Sequence, residues 1–442
     1  MKKIFCVMAV FTAAIVIFNS CKHDQPQPQS QSQDVVPEYT VEDVEGSTAD
    51  EVKKIMHYSS VDTKGQKITL SGYFSYAQGE NCKLKQIILC EHGTYQINAL
   101  VPSVRKDGEN IPKNVAQGRV IICPDYLGYG DTKDKVHPYM NQSLTARNSL
   151  DMELAVLQYF RDNNIELSED YYTIIAGFSQ GGSSALATHK YVESLSEKQQ
   201  NNIRLRKSFC GGTPASMEVT MNKFLEKERG IEIPKDVEKL QEILEDVALE
   251  VVISFMAIQG MYESYPETFE SYELKDFYSS TINVDKLSEA LKVGTAEDSE
   301  VKDVWELYEE SYDKIREAVE LFSFSVFMNP GKVMVSDIYS ADFLDDNSDL
   351  RNKFMGCLRK NDLTYWEPKN PIDFYHSTKD DVVPYANLEA LMAADKMGRF
   401  PQKVHAYTEA DLGNVASDNL THGNFGMNVF FPHVLNILDN MD

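Results

Sequence analysis

The sequence predicts an α/β protein: a mostly parallel sheet with helices on both faces, carrying a large helical cap insertion. Short, continuously apolar runs separated by helix-period stretches carry the first half of that reading, because strands covered on both faces have no polar side to show. An abrupt change of texture over residues 213–369 carries the second half. The chain has 442 residues, enough for two or three domains or for one large domain with an insertion.

The elements come in chain order. IMHYSSVD and KITLSGYFSYA read as a strand pair turning at Thr63-Lys64-Gly65. QIILCEH, GRVIICPD and YYTIIAG are the short apolar runs of buried strands. Between the last two, residues 144–163 place Leu150, Leu154, Leu157 and Phe160 on one helical face. RLRKSFCGG resumes the strand pattern, and far downstream PIDFYHS and QKVHAYT repeat it before a terminal helix over residues 428–438. Within 213–369, VEKLQEILEDVALEVVISFMAIQGMY and VWELYEESYDKIREAVELFSF are long, amphipathic and free of strand-like runs, which predicts helices alone.

Residues 1–20 read as a signal peptide: Lys2 and Lys3 precede an apolar run too short to span a membrane. Cys21 follows, and a Gln/Pro/Ser-rich tract then reads as a solvated tether. This looks like a bacterial lipoprotein start, with Cys21 acylated. The expected organisation is signal peptide 1–20, tether 21–50, core 51–212 and 370–442, and cap 213–369. With 43 Lys+Arg against 68 Asp+Glu the net charge is −25, which excludes nucleic acid as a partner and leaves the lipid on Cys21 as the expected membrane contact. Beyond Cys6 and Cys21, the five remaining cysteines form neither a disulfide framework nor a CxxC metal spacing; no metal or cofactor is expected.

Gly177-Phe178-Ser179-Gln180-Gly181 lies between a strand and a helical stretch, the setting of a nucleophile elbow. A serine hydroxyl needs a base, and the base needs an orienting carboxylate, which come later in such chains in the order Asp, His. Asp380 and Asp381, just past the PIDFYHS strand, both fit the acid, with Asp380 preferred. His422, in a polar loop after the last strand, fits the base, whereas His405 lies inside a strand and His433 inside the last helix. Two main-chain donors for a developing oxyanion are expected at Gln180 and, after QIILCEH, at Thr94, with Tyr95 as the fallback.

The elbow with its following CGGTPAS, the PDYLGYGDTKDKVHPY segment, the YHSTKDDVVPY loop and the late His resemble the secretory lipase family of α/β-hydrolases, which includes the yeast lipase A type. The resemblance runs from residue 58 to the C-terminus. It implies an α/β-hydrolase fold with a helical cap over the acyl pocket, hydrolysis of carboxylic esters, and Ser179, Asp380 and His422 as nucleophile, acid and base, with Asp381 a noncatalytic neighbour. The expectation is a monomeric serine esterase or lipase of a bacterial cell envelope, with secretion as second choice, acting on small-molecule or lipid esters. A peptidase on the same scaffold is one alternative. A glycan- or lipid-binding surface lipoprotein with a vestigial triad is the other.

Overall fold

The computed structural model describes residues 36–79, 82–108, 118–226, 230–232, 237–293, 303–319, 332–393, 397–413 and 415–441. The expected signal peptide and Cys21 lie outside the described residues. The strands are β1 (Tyr39–Asp43), β2 (Glu51–Val61), β3 (Lys67–Ala77), β4 (Leu84–Glu91), β5 (Arg119–Pro124), β6 (Leu167–Phe178), β7 (Leu205–Gly211), β8 (Gly230–Glu232), β9 (Lys332–Met334), β10 (Ile372–Tyr375) and β11 (Val404–Tyr407). Nine of them form one sheet in the order β1-β2-β3-β5-β4-β6-β7-β10-β11. The pairs β1·β2, β2·β3 and β3·β5 are antiparallel, and all later pairs are parallel.

The apolar runs are the central strands, as their residue types require. Ile87, Ile88, Leu89, Ile122, Ile174 and Ile175 are buried between the layers, so neither face of the sheet needs polar residues. The chain runs from β4 to β5 on one side and then to β6 on the other, so the loops leaving β4 and β6 diverge and open a crevice at the strands' carboxyl ends. The expected helix is Gln142–Asp162, capped by the Asn141 side chain, which accepts the Leu144 N–H at 3.2 Å. It packs against the helix Gln180–Ser194 that follows β6.

Two expectations need correction. Tyr39–Asp43, placed in the tether by composition, is an edge strand registered against Lys54–Tyr58. The insertion is not wholly helical either, because β8 and β9 pair antiparallel within it. Its described helices include Met217–Phe224, Val237–Ser264, Val284–Ala290, Val304–Ala318 and Asp349–Lys360. They enclose a hydrophobic core of their own, built on Phe255, Met261, Phe277, Phe343 and Phe354, which Tyr139 and Met140 of the sheet domain join.

The chain enters and leaves this insertion through one doorway. The Leu363 N–H donates to the Ala215 carbonyl at 3.0 Å, and the Ser216 N–H to Asn387 Oδ1 at 3.0 Å. Where the chain returns toward β10, the Glu193 carboxylate accepts the N–H groups of Lys369 (2.8 Å) and Asn370 (2.6 Å). Glu193 also contacts His189 Nε2 at 3.0 Å, whose Nδ1 lies 2.8 Å from Ser208 Oγ on β7. This Ser-His-Glu set is buried and ties three elements together. The described cysteines are all free, and Cys90, Cys123, Cys210 and Cys357 are buried.

Candidate active site

Ser179 stands between β6 and its helix at φ 60°, ψ −123°. A positive φ at a residue with a Cβ costs on the order of 1–3 kcal/mol and persists where the surroundings enforce it. Here the Ser179 N–H is tied to the Gly211 carbonyl at 2.9 Å, and the helix begins at the next residue. The flanking glycines are steric necessities. A Cβ at Gly177 would lie 2.2 Å from the Gly181 carbonyl oxygen, and one at Gly181 would lie 2.1 Å from that of Glu91. The turn is therefore wedged against the end of β4.

The structure brings Asp380 and His422 together. His422 Nδ1 lies 2.7 Å from Asp380 Oδ2, and the carboxylate side chain is fully buried. Asp380 Oδ1 accepts the N–H groups of Val382 (3.0 Å) and Val383 (2.7 Å), so the loop fixes the carboxylate before the histidine reaches it. Asp381 has a different task, accepting the main-chain N–H of His422 at 2.8 Å. Nδ1 bonded to a carboxylate carries the proton, which leaves the Nε2 lone pair free, and Nε2 is buried without a partner among the described residues. The imidazole packs on Phe178, centroids 4.9 Å apart, and a Cβ at Gly212 would lie 3.0 Å from its Cε1. Phe178 precedes Ser179, and Gly212 follows the residue that accepts the serine's N–H, so His422 stands in the elbow's immediate neighbourhood.

His405 and His433 are not part of this cluster. His405 Nδ1 lies 3.0 Å from Asp373 Oδ1 on the neighbouring strand, and His433 packs on Tyr375 from the terminal helix. His376 lies 3.6 Å from Asp380 Oδ2, but its Nε2 is engaged with the Val383 carbonyl at 3.0 Å, and burial lowers its pKa, keeping it neutral.

The loop after β4 lies against the elbow, and the main-chain N–H groups of Thr94 and Gln180 have no acceptor among the described residues. Thr94 Oγ1 is 2.8 Å from Tyr139 OH. The Gln180 Nε2 amide donates to His137 Nε2 at 2.8 Å, while His137 Nδ1 donates to the Leu127 carbonyl at 2.7 Å. Burial pushes His137 down to about 3, so it stays the neutral acceptor this arrangement needs. Gln180 Oε1 and Thr213 Oγ1 are buried without partners among the described residues. His92 completes the support, stacked between Tyr95 (centroids 4.7 Å) and Tyr126 (3.9 Å). Sequence reasoning misses His137 and Tyr139 as supports of these two donors; both fall in the PDYLGYGDTKDKVHPY segment, whose presence is the one signal pointing to them.

Glu91, at the end of β4, is missed as well. Its Oε2 accepts from Ser149 Oγ at 2.9 Å and its Oε1 from Thr188 Oγ1 at 2.8 Å, and burial pushes the carboxyl up to about 7. Glu153 is raised to about 7 by the same cause, with Oε2 unpartnered among the described residues. No cluster of three or more metal-ligating side chains occurs among the described residues.

No protein-family model matches the chain, and no curated protein matches its sequence. Solved structures do. A ligand-bound form of the rice cell wall degrading esterase LipA from Xanthomonas oryzae has a TM-score of 0.60 at 18% identity, covering 92% of this chain and 97% of that one. Another crystal structure of that esterase gives 0.59 at 20% identity, covering 88% and 90%. Candida antarctica lipase A in its closed state gives 0.50 at 13% identity, covering 84% and 75%. Likeness at such identities is a likeness of fold, and with the parallel sheet, its switch point and the strand-to-helix turn at Ser179, the chain has the α/β-hydrolase fold.

Proposed function

We propose that this chain is a serine hydrolase of carboxylic esters. One observation carries the reading: His422, held through Nδ1 by Asp380 and with Nε2 unengaged, packs against the residues that flank a serine in the strained elbow conformation. In this reading Ser179 Oγ attacks the ester carbonyl carbon as His422 Nε2 takes its proton. The tetrahedral oxyanion is met by the N–H groups of Thr94 and Gln180. Collapse expels the alcohol, which receives the proton from His422. Water, deprotonated by the same imidazole, then releases the acid from Ser179. Asp380 supports the imidazolium throughout. That an esterase and a lipase share the fold favours ester over amide chemistry.

A fluorophosphonate probe should label the wild-type protein and fail on Ser179→Ala. Ser179→Ala and His422→Ala should each reduce hydrolysis of 4-nitrophenyl acetate by roughly 10⁴–10⁶, and the double variant should add little, because the residues act as a unit. Labelling without ester turnover would support the peptidase alternative, tested with peptide anilides; neither labelling nor turnover would leave a binding protein. We further infer that residues 1–20 are removed, that Cys21 is acylated, and that the monomeric enzyme is held at a bacterial envelope by this lipid. Metabolic labelling with an alkynyl fatty acid should mark the protein and not Cys21→Ala.

A further inference from the structure

Beside the proposed site lies a cavity of about 310 Å³, bounded by the loops after β4 and β5 on one side and by cap helices on the other. His137 forms part of its wall, and His137 is the residue that holds the Gln180 side chain. Gln96, two residues beyond Thr94, forms another part, with its Nε2 buried and unpartnered among the described residues. Through His137 the cavity therefore borders the support of the Gln180 donor, and Gln96 places it two residues from Thr94.

Its charge runs against that of the molecule. On a chain of net charge −25, Lys133, Lys135 and Lys292 line this cavity, and among the described residues of its lining Asp134 supplies the one carboxylate. Lys133 and Lys135 form no ion pair with a described residue, and the orphaned Gln96 amide adds a further donor to the same cavity. Elsewhere on so acidic a surface an anion is repelled, so a local excess of ammonium groups is a means of selection. The donors are ammonium groups without a guanidinium fork, which favours a small anion met by point charges over bidentate recognition.

We propose that this cavity binds a carboxylate carried by the substrate, so that the enzyme selects anionic esters. For turnover of the bound ester, the inference rests on the serine-esterase reading. The carboxylate could belong to either half of the ester, and two substrate pairs separate the cases. Mono-4-nitrophenyl glutarate against 4-nitrophenyl hexanoate tests an acid on the acyl side; 4-acetoxybenzoate against its methyl ester tests the alcohol side.

At low ionic strength one pair should favour the anionic member by about tenfold in kcat/KM, chiefly through KM. Lys133→Gln and Lys135→Gln should each cut that preference about three- to fivefold, the range expected for one partly screened charge pair. Lys64→Gln, in the β2–β3 turn, should not alter the ratio. In 1 M NaCl, where the Debye length is about 3 Å, the preference should shrink toward one. Calorimetric titration of Ser179→Ala with glutarate and with 4-hydroxybenzoate reads binding without turnover, and the matching anion should bind and be weakened by Lys133→Gln. No anionic preference in either pair, or a preference indifferent to the lysines, overturns the proposal. If Ser179→Ala still hydrolyses esters, the esterase reading falls, while the titration still decides the cavity.

Discussion

Glu91→Gln should make the protein more stable in mild alkali while leaving it nearly unchanged in mild acid. Glu91 is fully enclosed, and burial moves its carboxyl from the ordinary 4.5 to about 7. Between those values the folded protein keeps a proton that the unfolded chain has released, so stability falls as pH rises through that window. At ~1.4 kcal/mol per pH unit the displacement corresponds to about 3 kcal/mol, fully lost above pH 8. A glutamine cannot ionise, and the Ser149 and Thr188 hydroxyls, each able to donate or accept, can bond its amide as they now bond the acid. Repulsion from Glu153 acts in the same direction. In urea unfolding, wild type and variant should agree within about 1 kcal/mol at pH 5, and the variant should lead by about 2–3 kcal/mol at pH 8.5. An equal difference at both pH values would refute the reasoning, because it would mean that no proton is taken up at Glu91 on folding.

The other perturbations are more local. Asp380→Asn, facing the imidazole nitrogen, should lower kcat by about 10⁴ by stabilising the wrong tautomer, whereas Asp381→Asn keeps an oxygen for the His422 N–H and should stay within about threefold; equal losses in ester assays would leave the acid unassigned. Gly181→Ala should unsettle the elbow, since its Cβ meets the Glu91 carbonyl, while Gly356→Ala, in a helix interior with open space around it, should stabilise by about 0.5–1 kcal/mol in the same denaturation assay. Phe255→Trp, Met256→Trp and Ile258→Trp should each cost about 1–3 kcal/mol by overfilling the cap core, and Met256→Trp, which also borders the lysine-rimmed cavity, should in addition change the ratio of kcat/KM for bulky against acetyl esters. Ester hydrolysis should survive EDTA, as no step of the proposed reaction uses a metal.

Most of the sheet is legible in the sequence because its central strands are buried on both faces and so advertise themselves as unbroken apolar runs. β1 is not. Its five residues lie at an edge where three are exposed and none is fully buried, and nothing in YTVED separates such a strand from the polar tract before it. β8 and β9 are hidden for another reason, being three residues each, with Gly230 paired to the distant Met334. For the candidate site, chain order alone singles out Ser179 and His422 in the sequence, since each sits at a punctuation between elements. Asp380 and Asp381 are equivalent as letters, and they differ in which part of His422 each meets, a matter of loop geometry. The His137–Gln180 contact spans 43 positions and unites a loop histidine with a helix-start glutamine, so no local pattern encodes it.

The hydrogen bond between Ala215 and Leu363 has a consequence for how such a molecule can change over generations. Because the excursion departs and comes back at adjoining points, the sheet perceives only a short hairpin-like closure there, whatever is strung between its ends. Glu193 secures the returning strand independently, gripping Lys369 and Asn370 before β10 takes its register of Ile372 against Ser208. Lengthening, shortening or replacing the material beyond the helix Met217–Phe224, whose Lys223 Nζ donates to the Asp381 carbonyl at 2.8 Å, should therefore leave the alignment of β7 with β10 in place. The insertion can be traded for another while the sheet keeps its register, which lets one scaffold carry different insertions by exchange of a single contiguous stretch of gene.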